Sequence, residues 1–206
     1  MSQNTIAILG TGNVGAGLGQ ALVVAGYEVI FGSRNPDQVK DLPGKLVAME
    51  VAVKSSEIVV LSVPYHTLAE LLPSLKEGLV GKIVVDLTNP LKSDMSGLVT
   101  AADKSGAEIV QETLPDSMIV KALNTIFASA YANSCQVHGD SISTFLAGND
   151  AEAKSKVSQF CQTIGLDVVD AGDISSARMI ESLAYLNIKL AFMLNMGPEI
   201  GFKLMR

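Results

Sequence analysis

The chain has 206 residues, enough for one large domain or a domain with a small appendage, and 48% hydrophobic against 17% charged residues calls for a large buried core rather than disorder. A formal net charge of −6, with no Lys/Arg run, excludes a phosphate-backbone partner, so no nucleic acid is expected. Two cysteines, Cys135 and Cys161, lack CxxC spacing and read as buried small hydrophobes of a reduced, cytoplasmic protein.

In chain order, the opening has no basic n-region and runs straight into TIAIL, a strand over 5–9, so no signal peptide is expected. A helix over 13–25 follows, with Val14, Leu18, Ala21, Leu22 and Ala25 on one face. Strands are predicted over 28–31, 46–48 and 57–63, then a helix over 65–76 carrying Leu68, Leu71, Leu72 and Leu75 on one side. Further strands cover 82–87 and 119–123, and the runs 143–147 and 167–169 add edge or continuation strands. Between these last two, Asn149 and Asp150 cap a helix over 151–164. Runs such as IVVLSV and IVVDL are apolar on both faces, as parallel strands covered by helices on each side must be. The alternation predicts an α/β protein with a doubly wound, mostly parallel sheet.

The segment 174–196 reads as a helix apolar nearly all round, and therefore buried on several sides. Its greasiest part contains Asn187, Lys189 and Asn195 and falls short of the roughly 20 apolar residues of a membrane span, so no membrane partner is expected. Gly197-Pro198 ends the helix, and a short second one is expected to finish the chain. Residues 1–172 thus form one unit and 173–206 a C-terminal helical segment.

The most informative motif is Gly10-Thr11-Gly12-Asn13-Val14-Gly15, a G-x-G-x-x-G placed after the first strand and at the opening of a helix. Gly10 permits the tight turn, Gly12 lets the backbone approach a diphosphate, and Gly15 lets the helix pack on the strand. The diphosphate then rests on the helix N-terminus. This is the fingerprint of the NAD(P)-binding Rossmann fold. An NAD enzyme carries Asp or Glu at the end of the second strand to accept from the ribose 2′-hydroxyl, but here the run is Phe31-Gly32-Ser33-Arg34-Asn35. Ser33 offers a hydrogen bond and Arg34 a fork of donors to a 2′-phosphate, so the cofactor expected is NADP(H).

The run GTGNVGAGLGQALVVAGYEVIFGSR resembles the NADPH-dependent reductases of the deazaflavin coenzyme F420, and also the NADPH-binding domains of the Steap metalloreductases. VVLSVPY, KIVVDLTNPL, IVKALNTI and the ending DAGDISSARMIESLAYLNIKLAFMLNMGPEIGFKL extend the resemblance over nearly the whole chain. It implies an NADP site with Thr11, Gly12, Asn13 and Val14 at the diphosphate and Ser33 and Arg34 at the 2′-phosphate. It also implies Ser62, Val63, Pro64 and Asn89 along the strand ends, and Asn124 and Thr125 beside the nicotinamide. Dimers joined through the C-terminal helices are implied as well. The pattern departs at Asn124, where deazaflavin reductases often have His, and at Gln38, where they carry Lys and this chain has Lys40 two residues on.

No acid–base triad, carboxylate pair or metal constellation stands out, and no catalytic residue is assigned. His66 falls at a helix start near the expected cofactor, where it either touches substrate or phosphate or is a surface residue, and His138 in a loop reads as a surface residue. The lack of an acid–base pair suits hydride transfer between two ring cofactors, NADPH and a flavin or F420-like deazaflavin, with the protein positioning them and excluding water. Two rival readings are a non-catalytic module sensing NADPH and a reductase of a small imine or carbonyl. For the latter the stretch after Gly172 is short of the helical domain such enzymes add.

Overall fold

The computed structural model describes residues 5–39 and 41–206; Lys40, named above as two residues beyond Gln38, lies outside them. Strand and helix alternate as the apolar pattern requires: β1 (Thr5–Leu9), α1 (Asn13–Val24), β2 (Glu28–Ser33), β3 (Lys45–Ala48), α2 (Met49–Ser55), β4 (Ile58–Leu61), α3 (Leu68–Leu79) and β5 (Ile83–Asp86). Then come α4 (Gly106–Thr113), β6 (Met118–Lys121), α5 (Ala128–Ala132), a small hairpin of β7 (Gln136–Val137) and β8 (Asp140–Ser141), β9 (Ser143–Gly148), α6 (Ala151–Thr163), β10 (Asp167–Asp170) and α7 (Ala177–Ile188).

Eight strands form one sheet in the order β10-β9-β6-β5-β4-β1-β2-β3, parallel except where β9 runs antiparallel to β6. Successive residues of a strand point to opposite faces, and each face gathers its own core. Ile6, Ile8, Phe31, Val60, Val85 and Val120 join Leu18 and Leu22 of α1 and Val157 and Phe160 of α6. Ala7, Leu9, Val59, Leu61, Val84 and Ile119 join Val53 of α2, Leu72 and Leu75 of α3 and Val110 of α4. The result is three layers, and the strand order reverses between β1 and β4. Crevices at such reversals, beyond the carboxyl ends of the strands, are where open parallel sheets bind ligands.

Several expectations need correction. Most strands are bounded differently from the apolar runs: β4 ends at Leu61 rather than residue 63, although Ser62 N still donates to Leu9 O at 2.8 Å before the chain turns away. Helices α2, α4 and α5 were not expected; with 7, 8 and 5 residues they are too short to show a sustained period. The terminal greasy segment is not one uniform helix: a 3₁₀ turn (Ile174–Ser176) leads into α7, which passes into a π-helical turn (Lys189–Met193). Nor is it buried all round. Its inner side buries Ala177, Ile180, Ala184 and two polar groups, Glu181 and Asn187, while Met179, Leu186, Phe192 and Leu194 stand exposed. No second helix ends the chain. The tail after Pro198 instead crosses the start of β9, where Phe202 O accepts from Ser143 N at 2.8 Å and Leu204 N donates to Ser143 Oγ at 2.9 Å. These bonds pair a backbone N–H at the start of β9 that no neighbouring strand takes. No helix among the described residues is long and apolar enough to cross a membrane.

Candidate functional site

At the sheet reversal the chain leaves β1 through Gly10, whose φ of +121° is open to glycine. A Cβ there would stand 2.1 Å from Ser62 O, so the turn is pressed against the backbone leaving β4. At Gly15 a Cβ would come within 2.8 Å of Gly10 O, which is why α1 can pack onto its own turn. Gly12 differs: a Cβ would meet nothing within 4 Å. Gly12 is the N-cap of α1, and no side chain caps that helix. Its first N–H groups and positive dipole end are left for an external acceptor.

This turn forms one rim of a cleft of about 740 Å³. Of the expected residues, Gly10, Thr11, Gly12, Ser33, Arg34, Ser62, Val63 and Pro64 line it. Ser33 is nearly buried, its Oγ accepting from Asn35 N at 3.1 Å. Arg34 is exposed at the lip. Asn13, Val14 and Gly15, in the first turn of α1, do not line it. The opposite wall was not foreseen: Thr67 comes from the 3₁₀ turn before α3, Glu70, Leu71 and Ser74 from α3, and Glu50 from α2. Spacing of three and four residues puts this set on one helix face, a signal present in the sequence but read only as part of the leucine stripe, which shares Leu71.

Asn89, Asn124 and Thr125 also lie outside the cleft lining. The structure joins them to each other. Asn89 Nδ2 donates to Asn124 O and Asn124 Nδ2 to Asn89 Oδ1, both at 3.0 Å, in a reciprocal pair beyond the ends of β5 and β6. Asn124 Nδ2 also reaches Ile180 O at 3.4 Å, and Asn187 Nδ2 donates to Thr125 O at 3.0 Å, so α7 packs directly on this loop. Asn124 Oδ1 and Thr125 Oγ1 are buried without a hydrogen-bond partner. Buried polar atoms of this kind call for an explanation, a ligand among them.

Sequence reasoning missed the charged group beneath this pair. Lys121, fully buried at the end of β6, places Nζ 2.9 Å from Asp86 Oδ2, 3.0 Å from Glu181 Oε1 and 2.5 Å from Thr88 O. All three ammonium protons find acceptors. Burial works against the ammonium, but Asp86 and Glu181 outweigh it and raise the Lys121 pKa. Glu181 accepts in addition from Gly106 N and Ala107 N at the start of α4. Tyr65, packed against Gly106, has its phenol pKa raised by burial and then by Glu181 and Asp86. The signal was a charge ending each of two otherwise apolar strands, IVVD and MIVK.

Both histidines are exposed, His66 in the 3₁₀ turn Tyr65–Thr67 and His138 in the hairpin. Burial pushes the Cys135 thiol up to about 11 and raises that of Cys161, which leaves both unreactive at neutral pH.

A parallel sheet reversing at β1 and β4, with a glycine turn and an uncapped helix at the crevice, defines a dinucleotide-binding Rossmann protein. The chain belongs to the family of F420-dependent NADP reductases. The family described as NADP oxidoreductase, coenzyme F420-dependent, matches residues 5–90. The F420-dependent NADP reductase of Methanothermobacter marburgensis is 31% identical over 207 residues, covering 90% of this chain and 91% of that protein. A crystal structure of a putative F420-dependent NADP reductase from Arthrobacter sp. FB24 superposes with a TM-score of 0.87 at 34% identity, over 98% of this chain and 99% of that one. Metalloreductase STEAP3 of Rattus norvegicus is 32% identical over 181 residues, but the chain spans only 36% of its length.

Proposed function

We propose that the protein is an NADP(H)-dependent oxidoreductase that moves hydride between NADPH and an F420-like deazaflavin or flavin. The observation that carries this reading is the uncapped N-terminus of α1, opening at Gly12 onto a cleft with Arg34 at its lip. The residues present fit the cofactor: the space in front of Gly12 suits a diphosphate, and the unpartnered Asn124 Oδ1 and Thr125 Oγ1 suit a carboxamide. When bound, the nicotinamide and the deazaflavin supply the hydride donor and acceptor chemistry.

The chain's own work is binding and orientation. Backbone N–H groups of Gly12, Asn13 and Val14 donate to the diphosphate, with Gly10, Thr11 and Gly15 shaping the turn. Ser33 and Arg34 donate to the 2′-phosphate, Ser62, Val63 and Pro64 form the floor along the strand ends, and Asn89 stands beyond it, paired with Asn124. Asn124 and Thr125 orient the carboxamide, and α7 walls the site from water. The reading assigns residues 1–172 to the dinucleotide-binding unit and 173–206 to packing and self-association, with the exposed Met179 and Leu186 in a homodimer interface. Two free thiols suit a cytoplasmic setting.

Replacing Arg34 with Ala tests the 2′-phosphate assignment. The ratio of NADH to NADPH dissociation constants is expected to fall at least about tenfold, the worth of one charge-assisted contact. An unchanged ratio refutes it. Oxidation of NADPH is expected with F420-type deazaflavin or free flavin; binding without turnover on either contradicts the enzymatic reading.

A further inference from the structure

The carboxamides of Asn89 and Asn124 meet although the residues are 35 positions apart, and the charged cluster lies three residues before each of them in its strand. Asp86 and Lys121 are register partners in adjacent strands, so their side chains leave the sheet side by side. Between the cluster and Asn89 stands Thr88, held at every polar atom: its N and Oγ1 donate to Asp86 Oδ1 at 2.9 and 2.7 Å, and its O accepts from Lys121. On the other side Glu181 takes Lys121 and the two N–H groups of α4, and its neighbour Ile180 presents the carbonyl that receives Asn124 Nδ2. The cluster therefore brackets the asparagine pair through Thr88 and through Ile180.

Stability alone does not account for three buried charges at this place. Apolar residues of similar volume commonly serve a core as well or better, whereas a satisfied polar cluster fixes one arrangement. Docking of α7 on α4 has a separate clasp at the surface, where Arg178 Nε donates to Glu108 Oε2 at 2.9 Å and Nη2 pairs with Glu108 Oε1.

We propose that Asp86, Lys121 and Glu181 are positioning residues: together they lock the Asn89–Asn124 pair, and with it the unpartnered Asn124 Oδ1 and Thr125 Oγ1, in the one arrangement that orients the nicotinamide, and Glu181 makes that arrangement depend on α7. The proposal rests on the reading that Asn124 and Thr125 receive the carboxamide.

The test uses the full chain with Glu181→Gln, Asp86→Asn as a second variant, and Arg178→Ala, which opens the surface clasp without touching the cluster. The probes are 2′,5′-ADP, which spans only the cleft, and NADPH followed by its nicotinamide fluorescence and by turnover. For both cluster variants, 2′,5′-ADP affinity is expected within about twofold of wild type, while kcat falls about 10- to 100-fold, the cost of a small misplacement. The fluorescence change on NADPH binding is expected to diminish, and the Asn124 side-chain amide signals of the free protein to shift or broaden. Arg178→Ala is expected to match wild type in all of these. Equal losses for 2′,5′-ADP and NADPH, wild-type behaviour of the cluster variants, or the same loss in Arg178→Ala each overturn the proposal. If 2′,5′-ADP and NADPH both fail to bind the wild-type chain, the cofactor reading falls first and takes this one with it.

Discussion

Gly10 and Gly12 stand two residues apart in one turn, yet what surrounds them differs. At Gly10 a methyl group would collide with Ser62 O in a conformation that L residues avoid; at Gly12 it would enter open space before α1. Gly10→Ala is expected to destabilise the fold by about 2–3 kcal/mol, from strain and steric displacement together. Gly12→Ala is expected to leave the thermal midpoint within about 2 °C of wild type and to weaken NADPH binding at least about tenfold, measured by thermal melts and by titration. If Gly12→Ala binds as well as wild type, no diphosphate sits at that turn. At this scale the glycine motif and the absence of an acid after β2 were legible in the sequence, because backbone chemistry is written locally. It did not reveal Lys121 as a buried group: its acceptors on Asp86, Thr88 and Glu181 come from residues 33 to 60 positions distant.

Among the elements, α4 shows how a short helix is held. Ser105 Oγ accepts from Glu108 N at 3.1 Å and Glu108 Oε2 from Ser105 N at 2.7 Å, a capping box, and Arg178 then ties Glu108 to α7. Ser105→Ala is expected to cost about 1 kcal/mol, lowering the thermal midpoint by about 2–4 °C for a chain of this size. The hydrogen bond from Arg178, followed by those of Ser105, holds the Glu108 carboxyl at about 2. Because that pKa is depressed, its contribution to stability is present above the ordinary glutamate value and is lost as pH falls toward about 2. Denaturant midpoints of wild type and Glu108→Gln are therefore expected to converge on acidification; a gap that persists at pH about 2 contradicts this account. Long helices such as α1 and α6 were legible from their apolar period and, for α6, from Asp150, whose Oδ1 accepts from Ala153 N at 2.7 Å. Helices α2 and α5 were not, since a helix of one or two turns gains its stability from the surface it covers rather than from its own sequence.

In the whole molecule, α7 is drawn in two directions. One side enters the site through Glu181 and Asn187, and the other leaves Met179 and Leu186 bare. An apolar stripe of this kind favours a protein partner, and the proposed homodimer makes a direct prediction. The wild-type chain is expected to sediment as a dimer at micromolar concentration, and Met179→Lys combined with Leu186→Lys as a monomer that keeps its 2′,5′-ADP affinity. A monomeric wild type refutes the arrangement. By itself the sequence determined the alternation of strands and helices, the glycine turn and the lack of an acid at the end of β2, since each is fixed by residues within a few positions of one another. Only the tertiary structure decided that β9 runs antiparallel, that the tail crosses its start, that α3 walls the cleft, and that a buried lysine underlies the asparagine pair. Those depend on which distant groups meet across the sheet, and burial has a cost that only the assembled partners offset.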